Sequence, residues 1–516
     1  MTKFRNYFII FVSVFAITAA CAMQDVKAQD SMSDLIKRIE ALEAKPAGGN
    51  VTAGKIRGLK IGLNLRHRYE IRSQDFSGTA AANNAAGGAH GSRQPTKDFT
   101  LQRMRLSFDM DVNKNVMARV MFQDARTFGE TTNATSNITS NLQRTDVQEA
   151  YVQLRNLGDI NPLLSNVQFR IGRWQQGYGN HRVIGTLGWA NQSRSYDGAK
   201  IMYKKNNLFV DVFAWQTKEN VTGGVDGGGV LAGAPAAGTK DTVMYGFYSQ
   251  YKFGGALKGN VIEPYLVAKA ESTDEDRTGD TLRPAKETRY TFGFRAAGKN
   301  IAGLGGLDYT IEPNWQRGTS EVTAGSDTSN NINAFAIHAE AGYTFKNVPW
   351  TPRIGYAYSF ASGDDRSGGD EKTYKQVSPT QHAHNGYMDI TSWQNIVDHQ
   401  LHFNVKPTKK LVLDVKAHFF SLDEVNDNWW HIGGAAVNRA GGLASGGTFT
   451  NAAGNTERLD DDLAQELNVT LKYKMFQNFG VVAGYGHLFC DDYIEDTGGG
   501  VDRGIDWFYL QTTVKF

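Results

Sequence analysis

The sequence predicts an all-β protein: a transmembrane antiparallel β-barrel of about 18 strands, preceded by a short N-terminal coiled-coil helix. Apolar and polar residues alternate with a period of two from about residue 60 to the C-terminus, which is typical of strands with one apolar face. Short and long connections between these segments follow one another strictly. After the N-terminal leader, no apolar run approaches the roughly 20 residues that a membrane-spanning helix requires.

Composition narrows the class of protein. The chain has 516 residues, 41% of them hydrophobic and 21% charged, with 56 glycines and 11 prolines. Length alone favours two or three domains, but large barrels run this long as single units. The formal net charge is +2, which argues against nucleic acid as a partner.

The N-terminus has the features of an export signal. Residues 1–28 begin with basic side chains and continue with an apolar run, and cleavage is expected after Ala28, with Ala22 as the alternative. Removing the signal leaves Cys490 as the one cysteine, so no intramolecular disulfide is expected. An exported chain of this pattern is expected in the bacterial outer membrane.

Residues 30–45 have the spacing of a short periplasmic coiled coil. The apolar seam comprises Met32, Leu35, Ile39 and Leu42. Because so short a helix is unstable alone, it is either a single amphipathic helix or the contact of a homotrimer. Residues 46–57 form a linker, and residues 58–516 form the barrel.

The alternation defines the strands one by one. In residues 99–112, Leu106 and Phe108 share one face, and Arg103 and Arg105 share the other. Strands are expected near residues 60–72, 98–112, 116–126, 145–155, 166–174, 195–205, 208–218, 241–253, 260–271, 287–300, 305–317, 331–346, 352–361, 394–406, 410–421, 462–474, 479–490 and 504–516.

The connections favour a membrane barrel over a soluble sandwich. Short ones, such as 113–115 and 206–207, alternate with long ones, such as 362–393 and 422–461. Outer-membrane barrels have short periplasmic turns and long extracellular loops. The expected surroundings are therefore outer-membrane lipid and lipopolysaccharide, and a sheet in lipid must close because its edges cannot stay unpaired.

The last strand ends on Phe516, after Phe508, Leu510 and Val514 on the same face. A terminal aromatic residue on an alternating strand resembles the signal by which bacterial barrels are recognised for assembly. The barrel assembly machinery is therefore an expected partner.

The polar faces of the early strands are rich in arginine. Arg103, Arg105, Arg119 and Arg170 are expected to line the lumen. Two interpretations remain open for them. They form ion pairs between neighbouring strands, or they form a constriction that attracts anions, since a guanidinium bonds both oxygens of a carboxylate.

The segment GRWQQGYGNHRVIG, residues 172–185, follows an alternating strand and brings Arg173 and Arg182, with Arg194 shortly after. Its glycines would allow the loop to fold back into the mouth of the barrel. Such a loop would set both the width and the charge preference of a channel.

Motifs of enzymes are absent. The sequence has no G-x-x-x-x-G-K-[ST], no H-E-x-x-H and no G-x-S-x-G. The pair His382 and His384 has no identifiable third metal ligand, so both are expected on a loop surface. We therefore expect no catalysis, no cofactor and no metal.

The run GRWQQGYGNHRVIGTLGWANQSRSYDG, together with SPTQHAHNGYMDITSWQNIVD at 378–398, resembles the alginate export family of outer-membrane proteins. The resemblance implies an 18-stranded barrel with an arginine-rich lumen that passes an acidic polysaccharide. By this resemblance the constriction residues are Arg173, Arg182, Arg194 and Asp197. Within the second motif, His382, Asp389 and Trp393 receive no role.

The expected function is a passive channel for anionic solutes or an acidic polysaccharide through an arginine-lined lumen. One alternative is a general trimeric diffusion porin without preference for glycans. The other is a sealed barrel that acts as a scaffold or an outer-membrane enzyme. The sequence alone does not separate export from uptake.

Overall fold

The computed structural model describes most of the chain from residue 57 onward. The described residues are 57–73, 97–128, 143–218, 241–272, 286–299, 305–321, 328–365, 368–437, 448–450, 455–498 and 504–516. The predicted signal peptide (1–28), the coiled-coil segment (30–45) and the linker up to residue 56 lie outside them.

The structure contains 20 strands within these residues. Their bounds are β1 Arg57–Arg72, β2 Lys97–Asp111, β3 Val116–Thr127, β4 Gln143–Leu154, β5 Val167–Trp174, β6 Tyr196–Lys205, β7 Leu208–Lys218, β8 Asp241–Lys252, β9 Val261–Ser272, β10 Glu287–Lys299, β11 Leu307–Glu321, β12 Ser329–Thr344, β13 Arg353–Ala361, β14 Ile396–Thr408, β15 Leu411–Ser421, β16 Thr448–Thr450, β17 Thr456–Arg458, β18 Asp462–Phe476, β19 Phe479–Cys490 and β20 Ile505–Lys515. A helix, α1, spans Asp492–Gly498.

Eighteen of the strands form one antiparallel sheet, and β16 pairs with β17 in a separate hairpin. The large sheet closes on itself because β1 pairs with β2 on one side and with β20 on the other. For example, Arg66 faces Arg103 on β2 and Thr513 on β20. The predicted 18-stranded barrel is therefore confirmed.

The predicted strand bounds agree closely with the observed ones. The largest difference is at the end of β11, which was expected at residue 317 and extends to Glu321. The hairpin of β16 and β17 and the helix α1 were not predicted. Both are short elements within loops, where no run of alternating residues announces them.

The two faces of the wall differ as the alternation requires. On β20, Phe508 and Leu510 are 39% and 43% exposed, whereas Trp507 and Tyr509 are 1% and 3% exposed. The apolar outer residues face lipid, and the inner residues pack against chain that fills part of the lumen. Two clusters of buried residues lie there, one around Trp393 and one around Trp174.

Among the residues that the structure describes, no helix combines the length and the apolar character needed to cross a membrane.

Candidate functional site

Among the described residues, two long connections that run into the barrel contact each other. The first inward loop, residues 175–195, joins β5 to β6, and the second inward loop, with described residues 362–365 and 368–395, joins β13 to β14. Both turn sharply at residues with positive φ, Gly179 at 54° and Asp389 at 60°. The sequence predicted the inward fold of the first loop, and the structure confirms it. The inward fold of the second loop was not predicted.

Backbone hydrogen bonds join the two inward loops. Ile184 and Ser378 form a parallel bridge, in which the amide of Gly185 donates to Ser378 O at 2.8 Å. The amide of Ser378 donates to Val183 O at 3.0 Å. At Gly185 a Cβ would overlap Thr380 Oγ1, so this close approach requires glycine. We call the joined loops, residues 175–195, 362–365 and 368–395, the plug.

Arginines of β1 and β2 hold the first inward loop by its carbonyl oxygens. Arg66 donates to the oxygens of Gly188 and Ala190, both at 3.1 Å. Arg103 donates to the same two oxygens at 3.0 and 3.1 Å. Both side chains are buried. Because a buried cation is costly without partners, these bonds fix the loop and stabilise the arginines together.

A stack of side chains joins both loops to the wall. The guanidinium of Arg68, on β1, lies 3.7 Å from the ring centroid of Trp189. The rings of Trp189 and His382 are 3.9 Å apart and almost parallel, at 5°. His382 stacks in turn on Tyr387 at 5.0 Å, and the ammonium of Lys416, on β15, lies 5.1 Å from the Tyr387 ring. Cation–π contacts thus end a run of stacked rings on both sides.

His382 and His384 lie inside the barrel, so the expectation of a loop surface is wrong. The side chain of His382 is 11% exposed, and its Nδ1 lies 2.9 Å from Asp389 Oδ1. Burial lowers the pKa of His382, and the neighbouring Asp389 carboxylate opposes that shift. His384 Nε2 lies 3.0 Å from Asn180 O in the first loop, and burial lowers its pKa as well.

Arg182 lies within the plug and is 4% exposed. Its guanidinium is 5.2 Å from the ring centroid of Trp393. Burial lowers the pKa of Arg182, while the carboxylates of Glu312, Glu340 and Asp398 act to raise it. Within the described part of the chain, its Nε and one terminal nitrogen have no hydrogen-bond partner. These two donors could serve a further acceptor, such as a carboxylate.

The remaining predicted arginines of the loop and of β2 also contact the plug. Arg194 donates to Ser378 O at 2.6 Å and to Pro379 O at 3.1 Å, so it links the two loops. Arg105 donates to the hydroxyl of Ser193. The structure therefore brings Arg103, Arg105, Arg182 and Arg194 to one region.

Arg119 and Arg170 are held in the wall. Arg119 forms ion pairs with Asp109 at 2.7 Å and Glu149 at 2.6 Å. Arg170 donates to Gln153 Oε1 at 2.6 Å and lies over a tyrosine ring of β4. The interpretation as cross-strand contacts describes both residues.

Arg173 and Asp197 do not join this region. They pair with each other at 2.7 Å, with side chains 38% and 56% exposed. Both belong to the outer face, because Arg173 alternates with Trp174, which is fully buried in the lumen. This corrects the expectation that the pair lines the constriction.

Sequence reasoning missed the anchors of the plug. Arg66 and Arg68 were not among the predicted site residues, and His382 and Trp393 had no role. The one signal in the sequence was the second motif, which contains glycine and aromatic residues as the first motif does. Their partners lie more than 100 residues away, as Arg66 and Gly188 do, so spacing could not reveal them.

A separate group of carboxylates could hold a cation. Among the described residues, Asp460, Asp461 and Asp462 form the one set whose ligand atoms lie within 4.8 Å of one another. All three are exposed. Exposed acidic groups of this kind are common without an ion, and the plug contains no such set within its described residues.

Comparison with known proteins places this geometry in context. The family model for alginate export matches residues 57–503. Pseudomonas aeruginosa OccK2 (OpdF) is 12% identical with a TM-score of 0.53, over 89% of this chain and 98% of that one. Its complex with glucuronate gives 12% and 0.52 over 89% and 98%, and OccD3 (OpdP) of the same organism gives 13% and 0.51 over 89% and 92%. These likenesses concern the fold. Comparison with curated proteins gives no match.

Proposed function

Because the chain belongs to the alginate export family and forms an outer-membrane channel of the porin type, we propose that anionic solutes or an acidic polysaccharide pass through its lumen. The passenger would move by diffusion, without a cofactor. Export and uptake are distinguished by the side on which the passenger is captured.

The observation that carries this proposal is the buried guanidinium of Arg182. Two of its nitrogens have no hydrogen-bond partner among the described residues, at the centre of the plug. A guanidinium in a dry surround binds a carboxylate strongly, because two parallel hydrogen bonds add to the charge attraction. OccK2, which shares the fold, has been crystallised with glucuronate, a sugar that bears one carboxylate.

Passage of a large solute would require the plug to move. Wall residues such as Asp211, Asn314 and Gln316 are 0% exposed, so the plug and neighbouring side chains cover the wall at their level. The plug is held by hydrogen bonds, stacked rings and ion pairs such as that of Lys375 with Glu287, and by no disulfide among the described residues. We therefore propose that this conformation is the closed state, and that displacement of the plug opens the channel.

The dense contacts of the plug also favour a second candidate, a sealed barrel that serves as a scaffold. That candidate and the channel differ in one measurable property, which is current across a bilayer. A general trimeric porin, associated through residues 30–45, would conduct without a preference for anions.

The test is to weaken the anchors of the plug. The double variant Arg66→Met and Arg103→Met removes the donors to the carbonyls of Gly188 and Ala190. In planar bilayers we expect brief, rare current steps from the parent protein, and longer and more frequent steps from the variant. The reversal potential in a salt gradient should show preference for anions.

Arg173→Met is the matched control, because it removes an arginine that contacts Asp197 on the outer face and not the plug. It should leave the currents unchanged. Heat-modifiable migration in a detergent gel would show that each barrel is folded. Folded protein that gives no current steps with either variant would exclude the channel and leave the scaffold.

A further inference from the structure

The end of the barrel opposite the inward loops, which we call the turn end, carries a set of lysines. Strand alternation fixes their orientation: on β1, Lys60 shares its face with the buried Arg66, and on β6, Lys204 shares its face with the buried Lys200. Six strands contribute one such lysine each. They are Lys60, Lys204, Lys252, Lys299, Lys472 and Lys515, which we call the lysine ring.

All six members are exposed although they face the lumen. Within the described residues, the mouth of the barrel is therefore open at the turn end, in contrast to the part of the lumen that the plug occupies. None of the six forms an ion pair with a carboxylate of any residue that the structure describes. Their ammonium groups are left to solvent and to whatever enters the mouth.

Two carboxylates that lie next to members of the lysine ring form ion pairs with arginines instead. Lys60 lies opposite Asp109 in the sheet, but both oxygens of that carboxylate accept from Arg119 at 2.7 and 2.8 Å. Lys299 lies opposite Asp308, whose oxygens accept from Arg353 at 2.6 and 2.9 Å. A bidentate guanidinium holds a carboxylate better than a flexible ammonium does, so the lysines remain available.

The outer face at the same level is apolar and aromatic. Ile61, Tyr251, Tyr473 and Phe516 are all exposed there and face the lipid boundary. Because the lysine ring points inward, the lipid headgroups around the barrel do not contact it. At the far end, exposed carboxylates include Asp460, Asp461 and Asp462.

We infer that the lysine ring is a capture site for a linear polyanion that enters from the turn end, on the periplasmic side of the membrane. Separate ammonium groups around a mouth suit a chain with repeated negative charges, since several weak contacts add without requiring one fixed geometry. Capture here would precede the narrow region at Arg182. The inference rests on the proposed function and adds the side of entry to it.

The experiment compares two fourfold variants of the full-length protein in detergent. The ring variant replaces Lys60, Lys252, Lys299 and Lys515 by Gln. The matched control replaces Lys205, Lys258, Lys409 and Lys410 by Gln, which are exposed at the same end but lie in turns or on the outer face. The probe is fluorescently labelled polygalacturonate, and the readout is its anisotropy at low and at high salt.

We expect the ring variant to bind the probe about tenfold more weakly and with a flatter dependence on salt, and the control to bind within about twofold of the parent. Equal losses in both variants would show that only net charge matters and would overturn the inference. An unchanged affinity of the ring variant would overturn it too. The inference would also be overturned if the ring variant kept its affinity for polygalacturonate and instead lost its retention on phosphatidylglycerol vesicles.

Bilayer currents in potassium chloride separate this inference from the channel proposal. If the double variant Arg66→Met with Arg103→Met conducts while the ring variant binds polygalacturonate as the parent does, the capture site is excluded and the channel is supported. If binding depends on the ring while no variant conducts, the capture site stands and the channel fails.

Discussion

The loop side and the turn end of the lumen both present cations, but they use them differently. On the loop side, Arg66 and Arg103 are buried and donate to carbonyl oxygens of the plug. At the turn end, Lys60 and Lys515 are exposed and form no ion pair with a described carboxylate. A count of lumenal cations therefore says little about anion binding, because burial and partners decide which of them are available.

The largest expected effect on stability comes from replacing a cation that is buried together with its ion-pair partner. Lys200 Nζ lies 2.8 Å from Asp211 Oδ2, with side chains 5% and 0% exposed. Replacing Lys200 by Met leaves the buried Asp211 carboxylate with the Tyr178 hydroxyl as a donor but without a cation, which should lower the free energy of unfolding by about 3–5 kcal/mol. Urea unfolding followed by tryptophan fluorescence would measure this.

Lys205→Met, at an exposed position of the same strand, should cost less than about 0.5 kcal/mol. The double variant Lys200→Met with Asp211→Leu should recover most of the loss. If Lys200→Met were as mild as its control, burial would not be what separates the two regions.

A smaller effect is expected from protons. Burial lowers the pKa of His382 in the closed plug, so the closed state binds fewer protons than an open one. The contribution of His382 to closure is then fully present above the ordinary histidine pKa of about 6.5. It weakens as the pH falls from there towards the lowered pKa of His382. The opposing carboxylate is Asp389, with Glu70 further off, and the cation that disfavours protonation is Arg68.

Bilayer currents at about pH 7.5 and 5.5 should therefore show more frequent openings at the lower pH. His382→Gln should reduce this dependence, and His181 and His384, whose pKa values burial also lowers, should account for the remainder. His399→Gln is the control, since that ring contacts Tyr356 and is exposed. Openings that become rarer in acid would contradict the assignment.

The smallest effect is expected at the exposed pair of Arg173 and Asp197. Such pairs contribute little because solvent screens them, so Arg173→Ala should change the free energy of unfolding by less than about 0.5 kcal/mol. Its reversal potential should equal that of the parent. A clear shift in ion preference would mean that this arginine reaches the passage after all.

The strands could be predicted because their cause is local. Lipid on one side and polar contents on the other select every second residue, and each strand repeats that choice many times. The same rule already assigned Arg173 to the face of Val167, Phe169 and Ile171, which the motif-based interpretation overlooked. At Arg173 the alternation of the strand predicts the orientation of the side chain correctly, and the motif does not.

The plug could be predicted only in part. Glycines at residues such as Gly185 announced a close backbone approach, but not the partner, which is Thr380 in the other loop. The ends of the stack, Arg68 and Lys416, lie on strands far apart in sequence. Contacts of this kind depend on where two long loops meet in space, and the sequence carries no period that encodes the meeting.

The bridge between Ile184 and Ser378 has a consequence for how transport is controlled. Two segments that share backbone hydrogen bonds cannot withdraw independently without leaving amides and carbonyls unmatched in a dry interior. Traffic through the barrel would thus be switched between two levels, on and off, with little graded throttling in between.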